Sequence, residues 1–363
     1  MAITRLGPNQ DITAAKIAGT INFKNLIING DMSLAQRSTS EASKGADAGY
    51  FTVDRMYYFE NGTTDVRFTQ SQSTDVPSGQ GFASSIKFDC TTADASLAID
   101  NQLVLKHRLE GQNLQQIKFG TSSAESLTLS FWIKSTKTGT FIVELSREGS
   151  RKISKSYTVS SSDTGEKKTL TFSPDTGGSG LSNDNSNRLE VNMYMGVGTN
   201  YSSGTLNTSW SAPSNTDRAV GQVNAFDNTS NNILFTGVQL EADTSASDFE
   251  FLPYDVNLRR CERYTRRLGD GLWGKASSTT NMTIQCPFFS PMRATPSISA
   301  IASAIKTSDV TAADYTSSAG ISGANINQNG ARLNCSSFSG LTSANMYILY
   351  DNSSYIALID AEL

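Results

Sequence analysis

From Asn25 onward the sequence keeps returning to one pattern, apolar residues at every second position followed by a cluster of Gly, Ser, Asn or Asp. The runs include Ser84-Ile86-Phe88, Leu127-Leu129-Phe131-Ile133, Phe141-Val143-Leu145, Leu189-Val191-Met193-Met195 and Ile233-Phe235-Val238-Leu240. Alternation at period two sends successive side chains to opposite faces, so each run reads as a strand with one buried face. Breaks such as SPDTGGSGLSNDNSN supply residues that favour turns. Strands interrupted this often by turns predict one antiparallel sandwich over residues 25–255. Only 18% of residues are charged, and Lys/Glu-rich helical stretches are nearly absent, which fits a mainly β chain.

The flanks differ from this central block. Residues 1–24 hold Gly7, Pro8 and Gly19 among short apolar patches, too few to build a core. They are expected to form a docking arm that orders only against a partner. In VNLRRCERYTRRL the period changes: Leu258, Cys261, Tyr264 and Leu268 fall at helical spacing, predicting an amphipathic helix over 256–268. Its opposite face carries Arg259, Arg260, Arg263, Arg266 and Arg267, read as a solvated or salt-bridged face, with acidic residues of a neighbouring subunit as the alternative partner. After Gly269 the alternation resumes in Met282-Ile284-Cys286 and Met346-Tyr347-Ile348-Leu349-Tyr350, predicting a smaller β domain over 269–363 for oligomerisation or the tip.

Several function classes are disfavoured by what the chain carries. A net charge of -4 gives no basic face for nucleic acid, so no nucleic-acid partner is expected. No apolar run approaches the roughly 18 residues of a spanning helix, so no membrane insertion is expected. The N-terminus lacks a basic segment followed by an apolar one, and no secretory signal is expected. Cys90, Cys261, Cys286 and Cys335 are far apart and His107 is the single histidine, which predicts reduced, packed thiols and no zinc site. His107 in QLVLKHRLEGQ stands without a nucleophile motif and reads as a structural residue. Glycoside hydrolysis needs only two carboxylates, and Asp54, Asp65, Glu144, Glu190 and Asp227 are the candidates, but the chain shows none of the regular coil repeats of polysaccharide-cutting spikes. No enzymatic activity is therefore expected. GDGLWG and GGSG read as turns rather than phosphate cradles, and LSNDNSN lacks the spacing of a helix-loop-helix calcium site.

Sugars are commonly held on flat aromatic faces. In SLTLSFWIKS the core face belongs to Leu127, Leu129, Phe131 and Ile133, so Trp132 points the other way. Tyr194 likewise shares a face with Glu190 and Asn192, opposite Val191, Met193 and Met195. Trp132, Tyr194, Glu190 and Asn192 are the candidate glycan-binding residues. The competing reading is that a loop or a second subunit covers that face.

The segment NLIINGDMSLAQRSTS resembles the opening of many phage tail-fibre and virion appendage proteins, and YFTVDRMYY resembles their Y-x-x-D-R strand, with Met56 where tryptophan is common. Later, FTGVQLEADTSASDFEFLPYDVNLRRCERYTRRL is similar to the G-V-Q-L-E, F-E-x-R-P-Y and C-x-R-Y series, with Leu252 in place of the usual arginine. FSPMRATPSI and the final DAEL look like the small domain that follows. The resemblance implies a jelly-roll of the carbohydrate-binding-module type, a homotrimer, attachment to other virion proteins through residues 1–24, and contact with a host surface glycan. It implies synthesis in the host cytoplasm and residence on the tail or particle surface. It also implies that any structural calcium would sit near Asn29, Asp31 or Glu241; no other cofactor is expected. The expected function is a tail fibre, with a capsid decoration or head-fibre protein and a polysaccharide depolymerase as alternatives.

Overall fold

The computed structural model describes residues 23–147, 151–269, 271–301, 305–309, 314–317, 320–350 and 355–363; the proposed arm therefore lies almost wholly outside the described residues. Among the described residues the chain is mainly β, and its strands form four antiparallel sheets. Two make the sandwich. One runs β1 (Ser40–Lys44), β3 (Arg67–Ser73), β4 (Ser85–Thr92), β11 (Asn232–Glu241), β6 (Leu127–Ser135) and β9 (Glu166–Phe172). The other runs β2 (Tyr57–Asn61), β5 (Gln102–Glu110), β10 (Asn187–Val197), β7 (Gly139–Arg147) and β8 (Arg151–Val159). Non-consecutive neighbours such as β4 beside β11 are the crossovers that let both sheets close over one core.

That core follows the alternation. Leu127, Leu129, Phe131 and Ile133 on β6 and Phe235 and Leu240 on β11 meet Phe141, Val143 and Leu145 on β7 and Val191, Met193 and Met195 on β10. Each such side chain taken from water stabilises the fold by about 1.5–3 kcal/mol, which makes the period-two face the main determinant of register. Phe68 and Phe88 meet edge to face at 5.2 Å between centroids and extend the same core toward the β3–β4 side.

A smaller core lies between two further sheets. One is β12 (Thr265–Gly269), β21 (Tyr355–Asp360) and β15 (Ser297–Ala300); the other is β17 (Asp314–Ser317), β16 (Ile305–Ser308), β20 (Met346–Tyr350), β13 (Leu272–Ala276), β14 (Met282–Pro287), β19 (Gly330–Cys335) and β18 (Ile321–Asn327). Ile284, Leu333, Tyr347, Leu349, Ile356 and Ile359 pack there. GDGLWG is only partly a turn: Gly271 has a φ of +80°, but Leu272, Trp273 and Gly274 already belong to β13.

The helix α1 spans Tyr254–Glu262, shorter than the 256–268 expected. Thr265–Leu268 instead pair with Asp360–Ala357 of β21. An isolated helix of this length is marginal, so pairing with a waiting strand outweighs the apolar spacing that suggested further turns. Leu258 and Cys261 keep their place on the helix, whereas Leu268 joins the second core. All four cysteines are free and buried.

Candidate functional site

The outer face of the six-stranded sheet carries an open groove of about 250 Å³. Its floor comes from β6 and β11, where Trp132 pairs with Thr236 and Lys134 with Leu234 across the ladder. One wall is the β3–β4 connection with Asp75, Val76, Pro77 and Ser78; the other is the β8–β9 turn with Asp163 and Gly165. Lys134 ties the walls together, donating to Asp75 Oδ2 at 2.9 Å and lying 3.1 Å from Asp163 Oδ1. The hydrogen bond to Asp75 is the main reason the Lys134 ammonium is held above its ordinary pKa. The Thr236 hydroxyl donates to the Ser84 carbonyl at 2.7 Å, which fixes the wall to the floor. The result is a partly exposed indole plate beside one ammonium and two carboxylates. An aromatic plate covers the C–H face of a sugar ring, and fixed charged groups bond its hydroxyls.

The structure separates Trp132 from the other three candidates. Tyr194, Glu190 and Asn192 lie on β10, in the opposite sheet. Tyr194 is fully buried: it packs with Val104, Ile142, Ala219 and Leu206 under the chain that connects β10 to β11. Its hydroxyl donates to Glu144 Oε1 at 3.4 Å. Glu144 is itself fully buried and accepts two bonds from Arg218 of the covering segment, at 2.9 and 2.8 Å, plus one from Asn192 at 3.1 Å. The expectation of one glycan face holding both Trp132 and Tyr194 is corrected accordingly, because parity reports the side of a strand but not what later folds over it. Glu190 is engaged by Lys106 at 3.3 Å and Arg108 at 3.2 Å. Burial pushes its carboxyl up, but those two cations more than offset that and hold it below the usual carboxylate range.

Of the weighed carboxylates, Glu144 and Glu190 are diagonal neighbours on one face of the paired strands β7 and β10, and each is held by its own cations. Asp54 accepts from Gln36 N and Nε2 at 2.8 and 2.7 Å, and burial pushes it up to about 6. Glu144 is held by Arg218, Asp227 by Lys137 and Asn231, and Asp65 is exposed. His107 is buried with Nε2 accepting from the Ile28 amide at 3.3 Å, and burial holds it well below its ordinary pKa. The residues considered for calcium also part company. Asn29 and Asp31 both face Asn257 Nδ2, at 3.5 and 3.3 Å, while Glu241 accepts from Ser247 N and Oγ at 2.8 and 2.7 Å. Among the described residues no cluster of three or more His, Cys, Asp or Glu is placed to hold a metal ion.

The segments that carried the sequence resemblance meet at one junction between the two β units. Asn29 at φ +61° turns the chain so that Gly30 lies against β11, where an added Cβ would fall 2.0 Å from the Val238 carbonyl oxygen. Gln36 joins Asp54 to the Thr265 carbonyl, the latter at 2.8 Å. Arg55 is fully buried, stacks on Tyr264 at 3.5 Å and pairs with Glu362. Arg37 reaches Asp360 at 2.8 Å. The arginine cluster is salt-bridged in part, as expected, while Arg259 is exposed: Arg263 forks onto Glu110 at 3.0 and 2.8 Å, and Arg267 donates to the Arg37 carbonyl at 3.0 Å. These residues join the two units and line no groove at Trp132.

No protein-family profile matches the chain. No curated protein matches it either. Among solved structures, the enzymatically active domain of tailspike protein 4 of bacteriophage CBA120 aligns with 60% of this chain at 15% identity and a TM-score of 0.31, and the alignment spans 21% of that chain. A structure described as CBM4 aligns with 59% of this chain and 98% of its own, at 12% identity and a TM-score of 0.28. The N-terminal CBM22 tandem domain of a Paenibacillus barcinonensis protein covers 91% of this chain and 98% of its own, at 10% identity and a TM-score of 0.25. The fold described above rests on the strand pairing itself.

Proposed function

We propose that this chain is a non-catalytic, carbohydrate-binding structural protein of a tailed-phage particle, displayed as a trimeric tail fibre that meets a host surface glycan in the Trp132 groove. The observation that carries the glycan reading is the groove itself, an indole plate set between Asp75, Lys134 and Asp163 on a rigid sheet. A site built on strands holds its geometry better than one carried on loops alone. The particle assignment is supported by the likeness of NLIINGD, VDRMYY, GVQLE and CERY to virion appendage proteins. Self-association is supported by the outer face of the C-terminal sheet, where Trp273 (53% exposed) pairs with Ile348 and Met346 (49% exposed) lies beside them. Exposed apolar area of this kind is commonly an association surface, and trimerisation would multiply weak glycan contacts. Of the carboxylates that do share a face, Glu144 is held by Arg218 under the covering segment and Glu190 by Lys106 and Arg108, which supports binding without turnover.

The test is calorimetric titration of the intact protein with polysaccharide purified from the host surface. Saturable binding that weakens at least tenfold in Trp132→Ala, with no new reducing ends released, is the expected result. Equal binding by the variant would remove the groove from the proposal, and release of reducing ends would replace it with a depolymerase.

A further inference from the structure

A second cleft, of about 470 Å³, opens between α1 and the 3-10 turns that follow β5, bounded by Phe23, Leu26, Ile28, Gln112, Gln116 and Arg260. Arg260 is unlike the arginines that follow it. Arg263 forks onto Glu110, and Arg266 lies 3.7 Å from Glu262. Arg260 makes one long hydrogen bond, 3.4 Å to the Asn25 carbonyl, and faces the Phe23 ring at 5.9 Å. Among the described residues no carboxylate lies within ion-pair distance of it. Glu250, an acid nearby, already accepts the amide of Asn25 at 2.9 Å. Burial lowers the pKa of Arg260, as expected of a guanidinium removed from water without a matching charge.

We propose that this cleft is a docking site for an acidic, aliphatic peptide segment of a partner protein, with Arg260 taking the carboxylate. A guanidinium held in a fixed position presents the paired donors that a carboxylate accepts. The exposed Phe23 ring offers the apolar wall, with Leu26 and Ile28 packed behind it in the cores, and the exposed Gln116 amide can bond a peptide backbone, the Gln112 amide nitrogen being taken by Glu110. A sugar fits this chemistry poorly, since both aromatic rings here are already faced by guanidinium groups: Arg55 over Tyr264 at 3.5 Å and Arg260 over Phe23. The cleft shares no lining residue with the Trp132 groove and lies at the segment leading into the sandwich.

Panning a random dodecapeptide library on the intact protein tests the assignment, with fluorescence anisotropy of the enriched peptides as the readout. The expected clones carry Asp or Glu next to Leu, Ile or Val, bind more weakly as salt rises, and lose at least tenfold in affinity to Arg260→Gln. Gln116→Glu, a change on an exposed turn that leaves the packing alone, is expected to weaken binding similarly by placing a competing carboxylate in the cleft. Trp132→Ala should bind the peptides as the parent does. Absence of enrichment, clones without a carboxylate, undiminished binding to both cleft variants, or displacement of peptide by equimolar glucuronate or phosphate would each overturn the proposal.

Discussion

The two outer faces of the sandwich are built by the same alternation and meet opposite fates. On the six-stranded sheet, Trp132, Lys134 and Thr236 stay at the floor of an open groove, because the connections at 74–84 and 160–165 rise at the rim and stop there. On the five-stranded sheet, Tyr194 and Glu144 stand at equivalent outward positions but vanish under residues 198–231, which send Arg218 to Glu144 and lay Leu206 and Ala219 over Tyr194. Strand parity thus decides the side, and the reach of the following connection decides whether that side keeps its access to solvent.

The contrast breaks most visibly at Glu144. Glu144→Ala should cost about 3–5 kcal/mol, since it leaves the Arg218 guanidinium enclosed without its partner; chemical denaturation measures this, and a loss under 1 kcal/mol would mean that the cover is not pinned there. A smaller effect is expected from acid. Glu190 titrates below the usual carboxylate range when folded, so its contribution is complete above the ordinary value and fades as pH falls through the folded one. Stability of the parent followed below about pH 4.5 should therefore fall more steeply than that of Glu190→Gln; parallel curves would contradict the Lys106 and Arg108 contacts. Tyr194→Phe removes one long hydrogen bond and should cost about 1 kcal/mol without altering glycan affinity. Trp132→Ala is the change that carries the loss of glycan binding, since its indole forms the plate of the groove.

How far the sequence could be read depended on the kind of residue. The strands of the sandwich core were legible because Leu127 to Ile133 and Leu189 to Met195 alternate cleanly, and a slip of one position would turn the whole apolar set to water. The last third of the expected helix was not, since Thr265–Leu268 have a partner only in β21, far along the chain. Trp132 was legible as an outward residue, and Lys134 two positions on shares its parity, a signal present in FWIKS. Asp75 and Asp163 reach the groove from turns, where no periodicity reports direction. The burial of Tyr194 was invisible because the cover that hides it is an irregular connection with no pattern to mark it.

The junction bears on the order in which the protein can be made. Arg37 and Asp360 bond across 323 positions, and Arg55 and Glu362 across 307. A ribosome delivers the first member of each pair long before the second, so Arg55 must await its counter-charge while most of the sandwich strands are still being assembled. Closing so long a loop costs entropy before any contact repays it, and folds dominated by distant pairings are slow. The seam between the two β units therefore sets late in biogenesis, and shortening the chain by residues 360–363 should leave a sandwich that forms yet carries an unneutralised arginine at its exposed base.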